Sequence, residues 1–539
     1  MNNLGIILII FAALLALQAI ADKIKLPNAV LLVIVGLSLW FIPGLPAIEL
    51  NPNVIFLLFL PPILYDAATH TSWHDFKAEI RPISTLAITL VFLTTGAVAM
   101  VCYYAIPGFT WPLAFVLGAI VSPPDAAAAT SIIKGMGLNK KVLTILEGES
   151  LVNDASALIA YRLALTAIGT GSFVFAQAGL DFTVLLLGGI LIGMVTGAIC
   201  LLLHKIIGNN SLISTSLTLL TPFVVYLVAE HWHTSGVLAV VTTGLMISWR
   251  SSEIFSYETR IRNSSVWDTV VFLLNGFIFI IIGLQMPSIL DDLGGYPVND
   301  LILYGALVTG VTIAVRVIWL FGVSFSLFRS KNHKQSVEED DTWKNVLIVA
   351  WTGTRGVVSL ATALALPLTL ATGAEFPHRS LILFLAFSVI FVTLVVQGLS
   401  LPLLVRLLKV KPPLNAEEER DLRLLMATNV ISFIDHELSA KINEQTKIQV
   451  KRPYTEIART LSREIREERK GSRVVFPDSA NSTIATAKQE IYHFQRELLI
   501  NFHKTGTFHQ TTIRRLEQEL DYEELQLNRT QGKNKEHHA

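Results

Sequence analysis

Residues 118–132 read GAIVSPPDAAAATSI, an apolar run with two prolines and an aspartate at its centre. Consecutive prolines remove two backbone donors and clash with the preceding turn, so a helix entering this stretch must break near Ser122 to Asp125. Broken backbone inside a membrane is tolerated only where it is buried in protein or lines a cavity. Carbonyls freed at such a break, with a carboxylate beside them, form a hard oxygen set suited to a small cation.

Whether the run lies in a membrane depends on the rest of the chain. Of 539 residues, 52% are hydrophobic and 16% charged. The mean hydropathy is +0.55, and the charge is concentrated after about residue 410. That composition defines an all-α integral membrane protein. Formal net charge is zero, so no nucleic-acid partner is implied. Cys102 and Cys200 both fall in apolar segments, which argues against a disulfide framework. Thirteen spans are predicted, at 4–20, 28–45, 53–69, 82–105, 112–133, 142–166, 182–204, 211–229, 234–249, 267–289, 301–328, 345–371 and 380–408. Alternate loops carry Lys23 and Lys25, Lys77 and Arg81, Lys134, Lys140 and Lys141, Lys205, Arg250, Arg260 and Arg262, then Arg329, Lys331, Lys334 and Lys344. The loops between are nearly free of basic residues, Arg379 excepted. The N-terminus is therefore expected outside and the C-terminus in the cytoplasm. The opening residues lack a basic start, so an uncleaved first helix is expected rather than a signal peptide. The chain divides into a transmembrane region, 1–410, and a cytoplasmic helical region, 411–539. In the latter, residues 485–504 and 513–527 space apolar residues by three and four. Regulation, dimer contact or a merely solvated tail all fit that pattern. The last residues, NRTQGKNKEHHA, are expected to be disordered.

A second interruption lies in residues 351–367, WTGTRGVVSLATALALP, where Gly353 and Gly356 flank Arg355. The two interrupted spans are the fifth and twelfth, opposite in membrane orientation. Two six-helix inverted repeats joined by a seventh helix, with two crossing broken helices, fit the count of thirteen.

Ionisable residues at membrane depth are costly and invite a functional reading. Asp66, Asp125, Glu149, Asp154, Arg316 and Arg355 are deep; Glu147, Arg162 and Asp268 read as interfacial charges. In EGESLVNDASALIA, residues 147–160, helical spacing puts Glu147, Ser150 and Asp154 on one face and Glu149 with Asn153 on the next. Asp154, Asp125, Ser150 and a few backbone carbonyls can together hold a dehydrated monovalent cation. Two carboxylates close together in low dielectric also hold a proton readily, so cation and proton compete for the same site. Glu149 needs a cationic partner, with Arg355 the best placed. Asn153 is neutral and reads as a scaffold that hydrogen-bonds the site. Arg316 is left open between a carboxylate partner and a cytoplasmic crevice.

The motifs GESLVND (148–154), SPPD (122–125), FLPPILYDAA (59–68) and GTRGVVSLATALA (353–365), in this order over residues 1–410, resemble those of the monovalent cation/proton antiporter family one. These are bacterial sodium/proton exchangers related to animal sodium/hydrogen exchangers. The resemblance implies that Asp154 carries cation and proton, that Ser150 coordinates the ion, and that Asp125 stands at the helix crossing. It further implies a ligand carbonyl from Pro124, a Glu149–Arg355 pair, and a site carboxylate at Asp66, where many relatives have Glu. It also implies a pH-regulating homodimer, electroneutral exchange and a cytoplasmic-membrane location. The expected activity is proton exchange for Na+ and Li+, with K+ as the alternative cation and a cation channel as the other membrane class. An intramembrane hydrolase finds only His231 and His233 in support, in an outer loop. No nucleotide-binding signature is present, no cofactor is implied, and the chain reads as no enzyme.

Overall fold

The computed structural model describes residues 52–125, 140–170, 175–208, 210–324, 342–370, 373–408, 415–466, 482–508 and 510–536, besides isolated earlier positions. Most of the first two expected spans, and residues 126–139 and 325–341, lie outside the described residues. The described elements are helical, with one isolated bridge between Thr369 and Glu375.

Twelve described helices follow the eleven remaining expected spans. They are α1 (Pro52–His70), α2 (Ile80–Ala105), α3 (Trp111–Val121), α4 (Lys140–Thr170), α5 (Phe175–Ile207), α6 (Ser211–His231), α7 (Gly236–Ile254), α8 (Tyr257–Asp292) and α9 (Val298–Trp319), then α10 (Thr342–Trp351) and α11 (Val357–Leu364) as halves of one interrupted span. The last membrane helix is α12 (Arg379–Leu408). Among the described residues, seven helices are long and apolar enough to cross a membrane. The interrupted spans fall short because the breaks divide them. Three spans contain π segments, at Thr85–Leu90, Leu320–Ser324 and Thr393–Gln397.

The chain clusters into two units: residues 1–203, 216–249 and 266–412, and residues 204–215, 250–265 and 413–539. Within the first, two groups of packed helices can be traced, and α1 packs on both, against α4 and α11 and against α7 and α8. Leu86 and Leu90 of α2, Val142, Ile145 and Leu146 of α4, Val346 and Val349 of α10, and Leu401 and Val405 of α12 share one core. Helix α3 crosses α2 so closely that a Cβ at Gly118 would lie 2.4 Å from Thr95 O. The other group joins α5 to α7, where a Cβ at Gly193 would lie 2.6 Å from Ala239 O, and α6 to α8, where Trp267 Nε1 donates to Thr218 Oγ1 at 3.2 Å. Small residues permit such approaches where lipid supplies no hydrophobic drive between helices. The outer stripe of α5, with Leu180, Val184, Leu187, Leu191, Val195 and Leu202, is exposed. Such a stripe is stable only against hydrocarbon or another protein.

In the second unit, α13 (Asn415–His436), α14 (Glu444–Arg466), α15 (Ser482–Thr505) and α16 (Gln510–Glu536) pack around two apolar clusters. Helix α16 runs through Glu536, so the expected disorder from residue 528 is corrected. Gln, Lys and Glu are good helix formers, and they carry the last turns past Gly532. Burial, with Glu519 adding repulsion against the weaker pull of Lys488 and Arg423, pushes the Glu523 carboxyl up to about 7. Tyr454 and Tyr492 also face it. The folded state then holds this proton more tightly than the unfolded one. Its contribution is fully present below the ordinary glutamate value and is lost as pH rises through about 7. In the full chain, amide exchange along α16, corrected for intrinsic rate, is expected to speed by up to roughly 50-fold between about pH 5 and about pH 8. Glu523→Gln is expected to flatten that dependence.

Candidate functional site

Helix α3 stops at Val121, and Ser122 to Asp125 are non-helical. On the other span the chain leaves helix between Trp351 and Val357. The two interruptions meet. Asp125 N donates to Thr354 O at 2.6 Å, and Thr354 Oγ1 donates to Asp125 O at 3.0 Å. Each break thus satisfies backbone that the other left unpaired. Gly356 is required by space: a Cβ there would lie 1.6 Å from Asp125 Oδ2. Gly356→Ala is expected to force the crossing apart and lower the melting temperature of the protein in detergent.

Helix α4 brings the acidic stretch to this crossing. Asn153, fully buried, donates from Nδ2 to Pro124 O at 2.9 Å. Among the described residues its Oδ1 has no hydrogen-bond partner. Next to it Asp154 is buried and interacts electrostatically with Asp125. Ser150 lies one turn earlier on the same helix. Asp125, Pro124, Asn153 and Asp154 are therefore brought together. Asp66 lies on α1. Its described polar contacts run to Thr69 and His70 of its own helix, with Oδ1 at 3.3 Å from His70 Nδ1.

The expected Glu149–Arg355 pair is corrected. Glu149 takes a bidentate ion pair from Arg316 of α9, with Nη1 to Oε1 at 2.5 Å and Nη2 to Oε2 at 3.0 Å. Arg316 also donates to Val349 O, and it passes over Gly353, where a Cβ would lie 2.5 Å from its Cδ. Arg355 is committed elsewhere: its Nε donates to Val121 O at 2.9 Å, and its Nη1 to Gly353 O. Its guanidinium therefore sits on the carbonyl end of α3, where a cation is favoured. Its own N–H donates to Thr393 Oγ1 at 3.1 Å. Thr354 and Thr393 were not singled out from sequence; a hydroxyl placed next to each irregularity was the available signal. Arg162, read as an interfacial charge, pairs with Glu230 at 2.6 Å.

Residues 7–407 match the family model described as "Sodium/hydrogen exchanger, transmembrane". An uncharacterized Na+/H+ exchanger of Mycobacterium tuberculosis is 30% identical, over 97% of this chain and 96% of its own length. A sodium, potassium, lithium and rubidium/H+ antiporter of Bacillus pumilus is 33% identical, over 73% of this chain and 61% of its own length. In fold the chain resembles the sodium proton antiporter MjNhaP1 from Methanocaldococcus jannaschii. The TM-score is 0.59 at 22% identity, over 76% of this chain and 99% of that one. The chain belongs to the sodium/hydrogen exchanger family, a family of membrane transporters rather than enzymes, and is a multi-pass membrane protein.

Proposed function

We propose that this chain is a secondary antiporter that exchanges protons for Na+, and for Li+, across the cytoplasmic membrane. The reading is carried by one observation: two interrupted spans exchange hydrogen bonds at Asp125 and Thr354, beside the buried Asp154 of α4. Asp154 and Asp125 bind either the cation or a proton, and alternating access to the two sides couples the fluxes. Ser150 and Pro124 O supply further oxygens. Asn153 fixes the crossing through Pro124 O, and its remaining acceptor faces no protein donor among the described residues. Asp66 would serve as a carboxylate on the approach from the cytoplasmic side. Thirteen helices in two inverted six-helix repeats over residues 1–410, the N-terminus outside, a cytoplasmic region from 411 and a homodimer complete the proposed architecture.

A K+-preferring exchanger is the second reading, favoured by the ion range in the name of the Bacillus pumilus relative. The test is proton movement in proteoliposomes holding a preset pH gradient, on addition of Na+, Li+, K+ or choline. Dissipation by Na+ and Li+ but not choline supports the proposal, and an equal K+ response selects the second reading. Silence toward every cation would refute both.

A further inference from the structure

A second polar constellation lies along α4, on the far side of Asp154 from Lys140. Arg162 stands eight residues beyond Asp154, about 12 Å along the axis. Its Nη2 donates to Glu230 Oε1 at 2.6 Å, and the Tyr226 hydroxyl also engages the guanidinium. Glu230 lies near the end of α6, and the same oxygen accepts from Gly236 N, the first residue of α7, at 3.3 Å. The α6–α7 turn wraps this carboxylate closely: a Cβ at Gly236 would lie 2.6 Å from Tyr226 and 2.9 Å from Glu230 Oε1. Leu158, one turn from both Asp154 and Arg162, lines a small cavity here with Phe56, Ile159, Leu185, Tyr226 and Ser235.

Two features set this ion pair apart from Glu149–Arg316. It joins α4, which packs with α2, α10 and α12, to the end of α6, which is bonded to α8. It is also partly wet, with side-chain exposures of 35% and 30% against 2% and 1%. A half-solvated pair is worth little and can open and re-form, whereas a fully buried one is costly to break. Both residues lie toward the loop 232–235, which has no lysine or arginine and is therefore assigned to the outside.

We propose that Arg162 and Glu230 form the outer closure of the ion path. They tie α4 to the α6–α7 turn while Asp154 faces the cytoplasm, and they part when it faces outside. This rests on the antiport reading above, with alternating access as its mechanism. Breaking the pair releases only the outward-open arrangement, so the population of that state should rise.

The experiment uses the full chain with Cys102→Ala and Cys200→Ala, carrying Leu158→Cys as a reporter on the cavity. In intact cells, a membrane-impermeant thiol reagent added outside should label this cysteine about tenfold faster when Arg162→Gln is introduced. Exchanging the charges, Arg162→Glu with Glu230→Arg, should return labelling toward its starting rate. Labelling that Arg162→Gln leaves unchanged overturns the proposal. In a second arm, Arg162→Cys and Glu230→Cys are joined by a short bifunctional thiol reagent in proteoliposomes. Joined protein should lose Na+-driven proton flux that the unjoined protein retains, and flux at the unjoined rate would also overturn the closure. Failure of the antiport reading itself looks different, because the unmodified chain would then show no flux at all.

Discussion

Asp154→Asn is expected to insert, fold and melt as the wild-type chain does, while Na+-driven proton flux in proteoliposomes falls to the level of empty vesicles. The substitution keeps volume and helical propensity nearly constant, and the position is buried on α4, where shape decides packing. What changes is charge and titration. A neutral amide neither releases nor accepts a proton in the physiological range, so the proton limb of the cycle is removed outright. The cation limb loses a charge-assisted ligand, worth about 1.5–3 kcal/mol, or roughly ten- to a hundredfold in affinity. Stability should not suffer, because removing one of two neighbouring carboxylates relieves repulsion with Asp125. Asp125→Asn is the informative comparison. The bonds holding the crossing use the Asp125 backbone, not its carboxylate, so the breaks should remain joined. Flux should weaken mainly through a higher cation requirement, since Asp154 would still carry the proton. Wild-type flux in Asp154→Asn would refute the assignment.

The helix breaks were legible in the sequence because backbone chemistry is local. Pro123 and Pro124 withhold donors, and Gly353 and Gly356 weaken the helix on either side of Arg355. Double proline alone does not decide the matter, however. Pro61 and Pro62 carry the same dipeptide, and α1 runs through them unbroken. The difference lies in where the next donor goes. After Pro124 that donor, Asp125 N, finds Thr354 O on another span, an outlet that no local pattern encodes. The same limit explains the partner of Glu149. Arg355 was the natural choice because it sits inside an interruption, but choosing between two arginines required the course of α9 and the space above Gly353. Arg162 and Glu230, 68 residues apart, met for reasons equally hidden. The π segments were invisible because one extra residue per turn barely alters an apolar pattern.

Arg316→Ala is expected to be the most destabilising single change in the membrane region, lowering stability by about 3–5 kcal/mol. Both partners of the Glu149–Arg316 pair are sealed from water, at 1% and 2% exposure. Removing the guanidinium would leave Glu149 as an uncompensated charge in a low-dielectric interior, while the carbonyl of Val349 would keep its bond from Thr352 Oγ1. Glu149→Ala should cost a similar amount by stranding Arg316. Replacing both together, Glu149→Gln with Arg316→Met, removes both charges at near-constant volume and should recover most of the loss. Arg355→Ala tests the corrected pairing. It frees the carbonyls of Val121 and Gly353 but strands no carboxylate, so its expected cost is smaller, about 1–3 kcal/mol. Melting curves of the purified full chain in one detergent rank the four variants. A double variant no better than Arg316→Ala, or Arg355→Ala falling below it, would assign Glu149 to the wrong arginine. Glu149 is held by a fixed bidentate contact from Arg316, so the proposed antiport assigns the exchange of cation and proton to Asp154 and Asp125 rather than to Glu149.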